Sequence, residues 1–247
     1  MNLILIGTLA SLIAGAATLI GALAVFFMHR VSDKFLDMSL GFSAGVMLAA
    51  TFFGLVAPAI KMGGTLKTAV GILLGALFLI LMEKTVPHVH RVAGVKGPPT
   101  HLSKTALFIL AITIHNFPEG LTVGVGFANG NIPAGIVLAV GIGIQNIVEG
   151  LAVGLALLRD KTTAMTAFLI ASFTCVVEPI GGLLGISVVS VSQPLVPYGM
   201  AFAAGAMLFV TSEEIIPETH SRGNAREATI GIIFGFIVMM MLENLFV

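Results

Sequence analysis

Two segments thirty residues apart repeat the same set of side chains that can do chemistry: His115-Asn116-Phe117-Pro118-Glu119-Gly120-Leu121 and Gln145-Asn146-Ile147-Val148-Glu149-Gly150-Leu151. Each sets an imidazole or an amide, an Asn and a Glu into an apolar run, where an uncompensated carboxylate is costly and marks a functional site. His115 and Glu119 are four residues apart, as are Gln145 and Glu149, so each pair shares one helical face, with Asn116 and Asn146 flanking it. A third carboxylate, Glu178, precedes Pro179 in another apolar run. Taken alone, Glu178 also reads as a protonated packing residue. Three carboxylates around a dry cavity repel one another unless a cation compensates them. An imidazole with carboxylate and amide oxygens suits Zn²⁺, Fe²⁺, Mn²⁺ or Cd²⁺. The single cysteine, Cys175, excludes an intrachain disulfide and a multi-cysteine metal site. The set therefore reads as one that binds and lets go, rather than a closed structural zinc site. Pro118 and Pro179 lack an N–H, which frees the carbonyls of Ile114 and Cys175 and offers hinge points. Gly120, Gly124, Gly150 and Gly154 read as close-packing surfaces.

Such residues need apolar helices to hold them. The chain is 57% hydrophobic and 10% charged, and several runs reach the ~20 residues that cross a bilayer core. This predicts an all-α, polytopic membrane protein with one transmembrane domain over 1–247. Helices are expected near 3–28, 36–57, 66–83, 102–128, 132–158, 163–190, 195–217 and 227–246, with a His-containing loop over 84–101. The first apolar run is longer than a signal core and lacks a basic leader, so it reads as a retained helix. Basic residues crowd one side: Arg30 and Lys34, then Lys84, Arg91, Lys96 and Lys104, then Arg159 and Lys161, then Arg222 and Arg226. The opposite loops hold only Lys61 and Lys67. The bias predicts cytoplasmic odd loops and both termini outside. No basic patch with interleaved aromatics suggests nucleic acid.

A longer repeat runs through the chain. Phe42-Ser43-Ala44-Gly45-Val46-Met47-Leu48 resembles Phe202-Ala203-Ala204-Gly205-Ala206-Met207-Leu208. At the same offset, Gly71, Ile72, Gly75 and Glu83 match Gly231, Ile232, Gly235 and Glu243. This predicts an inverted repeat, helices 1–3 against 6–8, around helices 4 and 5, a recurrent transporter plan. Met47 by itself reads as core filler.

The HNxPEG segment followed by QNxxEG resembles the ZIP (Zrt/Irt-like) family of divalent metal transporters in its short bacterial form, over essentially the full chain. The resemblance implies a binuclear midplane centre. One site would use His115, Glu119, Gln145, Glu149 and Glu178, with Met47 as an added ligand. The second would use Asn116 and Asn146, with the three Glu residues bridging. Two departures stand out: Val148 replaces a Pro frequent in the family, and Asn146 stands where some relatives carry Asp, which weakens the second site. The resemblance also implies a release path at Glu213, Glu214, Glu218 and His220, and His88, His90 and His101 could collect leaving metal. Helices 1, 4, 5 and 6 would then move against a frame of 2, 3, 7 and 8.

The expected function is import of Zn²⁺, or of Fe²⁺, Mn²⁺ or Cd²⁺, by alternating access across the cell (inner) membrane. The metal is substrate and not cofactor, the partners are metal ions and lipid, and a homodimer stays open. A channel-like facilitator is the alternative. A membrane metalloenzyme is disfavoured, because no HExxH pattern or serine elbow is present.

Overall fold

The computed structural model describes residues 2–28, 31–90, 94–128 and 130–246, apart from the side chains of His90 and Phe246. Arg30, Arg91 and the His90 side chain, which entered the reading above, lie outside the described residues. Eight helices are long and apolar enough to cross a membrane: α1 Leu3–Phe26, α2 Asp33–Gly63, α3 Thr65–Thr85, α4 Lys104–Gly126, α5 Ile132–Arg159, α6 Ala164–Ser190, α7 Gln193–His220 and α8 Ala225–Leu245. The chain is a polytopic helical membrane protein. Side chains with an oxygen to spare start several helices. Asn2, Ser32, Ser103, Asn131 and Thr163 each accept a backbone N–H of the first turn.

α2 and α7 run past the ends expected at 57 and 217. Each passes through a π-helical stretch, Ala50–Val56 and Thr211–Ile215, just before Pro58 and Pro217. The wider turn relieves the clash and the missing N–H that make proline a helix stop. α6 is broken instead, into Ala164–Thr174 and Val177–Ser190. The expected loop between α3 and α4 carries a small antiparallel hairpin, β1 (His88–His90) and β2 (Gly94–Lys96), with His88 opposite Lys96. After it, Gly97 takes a positive φ of 81° and lies so close to the Val86 carbonyl that no Cβ would fit.

The helices pack most extensively in pairs: α2 with α8, α3 with α7, α1 with α5, and α4 with α6. Lipid is as apolar as leucine, so such pairs depend on close backbone approach through small residues. Gly45 lies against the Ile232 carbonyl and Gly205 against that of Ile72. Gly235 meets the Phe42 carbonyl and Gly75 that of Phe202. The α2–α8 contacts thus recur between α7 and α3 at the offset of the sequence repeat. In the other set, Gly150 meets the Thr18 carbonyl on α1 and Gly120 that of Glu178 on α6. The two sets of four, α1, α4, α5, α6 and α2, α3, α7, α8, join where α2 meets α5 and α4 meets α7. Exposed Ile13, Leu73, Phe173 and Phe234 lie on the bundle surface, as lipid contact requires.

Candidate metal centre

α4, α5 and α6 bring Glu119, Glu149 and Glu178 within electrostatic reach of one another. Glu119, Gln145, Asn146 and Glu178 are fully buried and Asn116 nearly so. The break in α6 places Glu178 in the first turn of a new helical segment, where exposed N–H groups and the helix dipole favour a carboxylate. Asn146 supplies the other support, its Nδ2 donating to both Glu178 oxygens at 3.1 and 3.0 Å and to the Ala14 carbonyl at 3.0 Å. The Ser11 hydroxyl donates to the Glu178 carbonyl at 2.8 Å. The carbonyl that Pro179 was expected to leave open is filled: Cys175 O accepts from Glu178 N–H at 3.1 Å, within the tight turn at the break. Its neighbour is used instead, as Asn116 Nδ2 donates to the Thr174 carbonyl at 3.1 Å.

Glu119 is the anomaly of the centre. Both of its carboxylate oxygens are buried without a hydrogen bond, and the Gln145 amide stands beside it without reaching hydrogen-bond geometry. Oδ1 of Asn116 and of Asn146 are also unsatisfied. Buried acceptors left unpaired cost about 1–3 kcal/mol each, and here they cluster on two adjoining helices, α4 and α5. Oxygen-rich, dry and anionic, the cluster suits a divalent cation.

The remaining predicted ligands divide. Glu149 accepts from the Ser43 hydroxyl at 3.1 Å and lines a cavity with His115. His115 turns towards α7, where its Nε2 contacts the buried Glu214 carboxylate. Met47 is fully buried and its Sδ accepts from the Thr211 hydroxyl at 3.8 Å. Among the described residues no three His, Cys, Asp or Glu side chains are arranged to hold a metal ion. In this arrangement Glu178 accepts from Asn146, Glu149 accepts from Ser43, and His115 contacts Glu214.

The cavity opens between the helix ends on the basic side. It holds about 1070 Å³ of space, part of it open solvent, and runs from Arg159, Arg222 and Glu218 past Glu213 and Glu214 to His115 and Glu149. Towards the opposite side Phe127 and Leu138 are fully buried, and a separate apolar cavity is lined by Leu121, Val125 and Tyr198. Of the predicted release residues, Glu213, Glu214 and Glu218 line this cavity. His220 does not join them but is bonded to Thr219, the Ile216 carbonyl and Thr229. His88 is fully buried, its Nδ1 2.7 Å from the Val86 carbonyl, with β1 packed on α4. The hairpin fold, invisible in a short polar stretch, turns this histidine inward.

Sequence reasoning passed over Ser43, Lys96 and Asp37. Ser43 had a signal, for it lies four residues before Met47 in the repeated segment and therefore on the same face. Asp37, fully buried, is held by Arg222 and Asn224, a tie between α2 and the α7–α8 loop that no local pattern announces.

A bundle of eight spanning helices with a buried carboxylate–amide centre and an aqueous cavity leading to it defines a membrane transporter for small cations. The family model described as ZIP Zinc transporter matches residues 99–243. Zinc transporter GufA of Myxococcus xanthus is 43% identical over 96% of this chain and 97% of its own length. Zinc transporter ZIPB of Bordetella bronchiseptica is 40% identical, covering 93% of this chain and 77% of its own. Zinc transporter ZupT of Chlorobaculum parvum is 34% identical over 96% of both. The chain belongs to the ZIP zinc transporter family, whose members are transporters and not enzymes.

Proposed function

We propose that this protein carries Zn²⁺, or a similar divalent ion such as Fe²⁺, Mn²⁺ or Cd²⁺, into the cytoplasm by alternating access. The observation that carries the reading is Glu119: a fully buried carboxylate with both oxygens unbonded, near Glu178 and near Glu149, which lines the inner cavity. The cargo would be held by Glu119, Glu149 and Glu178 with His115, Gln145 and Met47. A second ion would use Asn116 and Asn146, with the Glu residues bridging. For such a set to close on an ion, His115 must leave Glu214 and Glu149 must leave Ser43. Glu213, Glu214 and Glu218 then offer carboxylates along the way out.

The one-sided cavity favours a carrier over a channel, since a channel needs a continuous path. With the basic loops cytoplasmic, both termini lie outside the cell (inner) membrane and the cavity faces inward. The zinc named for the relatives supports zinc as substrate, not as resident cofactor. Uptake of Zn²⁺, Fe²⁺, Mn²⁺ and Cd²⁺ in competition, in reconstituted vesicles, tests the reading. Wild-type protein should give saturable zinc uptake, and Glu149→Ala with Glu178→Ala should abolish it. Uptake unchanged in the double variant would end the proposal.

A further inference from the structure

The hairpin between α3 and α4 touches both sets of helices. β1 packs on α4, with His88 fully buried and Val89 lining the inner cavity. At the end of β2, the Lys96 ammonium donates to Glu83 on α3 at 3.2 Å and to Glu213 on α7 at 3.0 Å. One strand therefore rests on the set that carries the metal centre, while the other is tied to the frame. Gly97, pressed against the Val86 carbonyl, pins the base of the hairpin and fixes where Lys96 points.

The place of this ammonium matters. Glu213 lines the mouth of the cavity, and the residue after it, Glu214, holds His115. A cation leaving the centre passes these carboxylates, and one of them is already neutralised by a cation on a tether. The Lys96 side chain is 24% exposed and that of Glu213 50% exposed, so solvent screens the pair and keeps it exchangeable. A divalent ion brings twice the charge to the same oxygens and competes with an ammonium on favourable terms. From this juxtaposition we propose that Lys96 is an exit latch. Its ammonium holds Glu83 and Glu213 while no cargo is leaving, and yields them to the departing divalent cation, so that the hairpin lifts from the mouth as the ion goes out. The latch rests on the reading of the cavity as a cation path. It adds the group that guards the path's end.

The test combines hydrogen exchange with uptake, on the full chain in lipid vesicles and with Zn²⁺ alone as the probe. In wild-type protein, saturating Zn²⁺ should speed exchange at the amides of His88–His90 and Gly94–Lys96. Lys96→Gln should exchange fast there without metal and respond no further. Its maximal uptake rate should rise about two- to five-fold, the factor that loss of the half-exposed pair with Glu213 at the cavity mouth allows. Lys96→Arg, which keeps the charge, should behave as wild type. If wild-type protein takes up zinc while Zn²⁺ leaves the hairpin unmoved, the latch is overturned and the transport reading stands. An unchanged or lowered maximal rate in Lys96→Gln also overturns it, because a brace would give that result. Should Lys96→Gln fail to fold, the wild-type exchange measurement decides. Absence of any wild-type uptake would overturn both readings.

Discussion

Met47 shows how one side chain can be both packing and chemistry. It is fully buried among Ile114, Met207 and Val210, and its sulfur already accepts from the Thr211 hydroxyl. A thioether is a soft donor, preferred by soft ions and nearly indifferent to hard ones. Leucine has almost the same volume, so Met47→Leu should leave folding within about 1.5 kcal/mol of wild type. Its effect should fall on selectivity: cadmium uptake should drop several-fold relative to manganese when the two compete. Equal losses for both ions would show that Met47 only fills space. Lys96 shows the opposite economy. Burial pulls its pKa down, but the hydrogen bonds and charges of Glu213 and Glu83 outweigh that, and it lies above the ordinary lysine value. A pKa raised on folding adds stability that is whole below the ordinary value and is lost only as pH rises through the raised one. Through the neutral range the ammonium therefore stays charged, and metal rather than base is what can remove it.

At the scale of elements, the glycine contacts decide what the side chains can reach. Gly120 is one residue from Glu119, and its backbone lies against the Glu178 carbonyl. Gly120→Val should push α4 from α6, costing about 1–3 kcal/mol by overpacking, and should abolish uptake by separating two of the carboxylates. A fall in Tm with full uptake would show that the centre tolerates wider spacing. The eight spans and the glycine faces were legible because each follows from composition or from helical spacing, whereas the nearness of Glu119, Glu149 and Glu178 depends on how α4, α5 and α6 pack. The bonds of His115 and the burial of His88 were not legible either. His115 shares a face with Glu119, yet its partner Glu214 comes from α7, and only the packing of α4 on α7 joins them. His88 sits in a stretch without periodicity, where a three-residue strand leaves no sequence signature. The ends of α2 and α7 were misjudged at Pro58 and Pro217, because proline usually stops a helix and the preceding π-helical turns here let it continue.

For the whole molecule, the one-sided cavity makes a prediction about sidedness. Ala156 lines the cavity, whereas Leu138 is buried in the closed half. In a Cys175→Ser background, Ala156→Cys should react with a charged, impermeant thiol reagent added on the cytoplasmic side and not from outside. Leu138→Cys should resist both. Labelling of Ala156→Cys from the outside would reverse the orientation drawn from the basic loops. The partition into two sets of four helices gives the motion a natural seam. Contacts within each set are dense with glycine–backbone approaches, and those between them, α2 with α5 and α4 with α7, carry Ser43–Glu149 and His115–Glu214. In the transport cycle proposed above, these two polar contacts would break and reform as the ion binds, so the seam and the ligand exchange would be one event.

The π-helical stretches have a consequence in the arithmetic of chain length. A π turn holds one residue more than the α turn it replaces. Rewinding Thr211–Ile215 into regular α-helix with no residue lost would turn everything beyond it by about 100° around the axis. Glu218 and Arg222 would swing away from the cavity, and the Asp37 carboxylate would lose its guanidinium. The same holds for Ala50–Val56 and the outer end of α2. In these two helices the more regular backbone is the less useful one, and a rewinding that improves local geometry would carry these side chains away from the cavity.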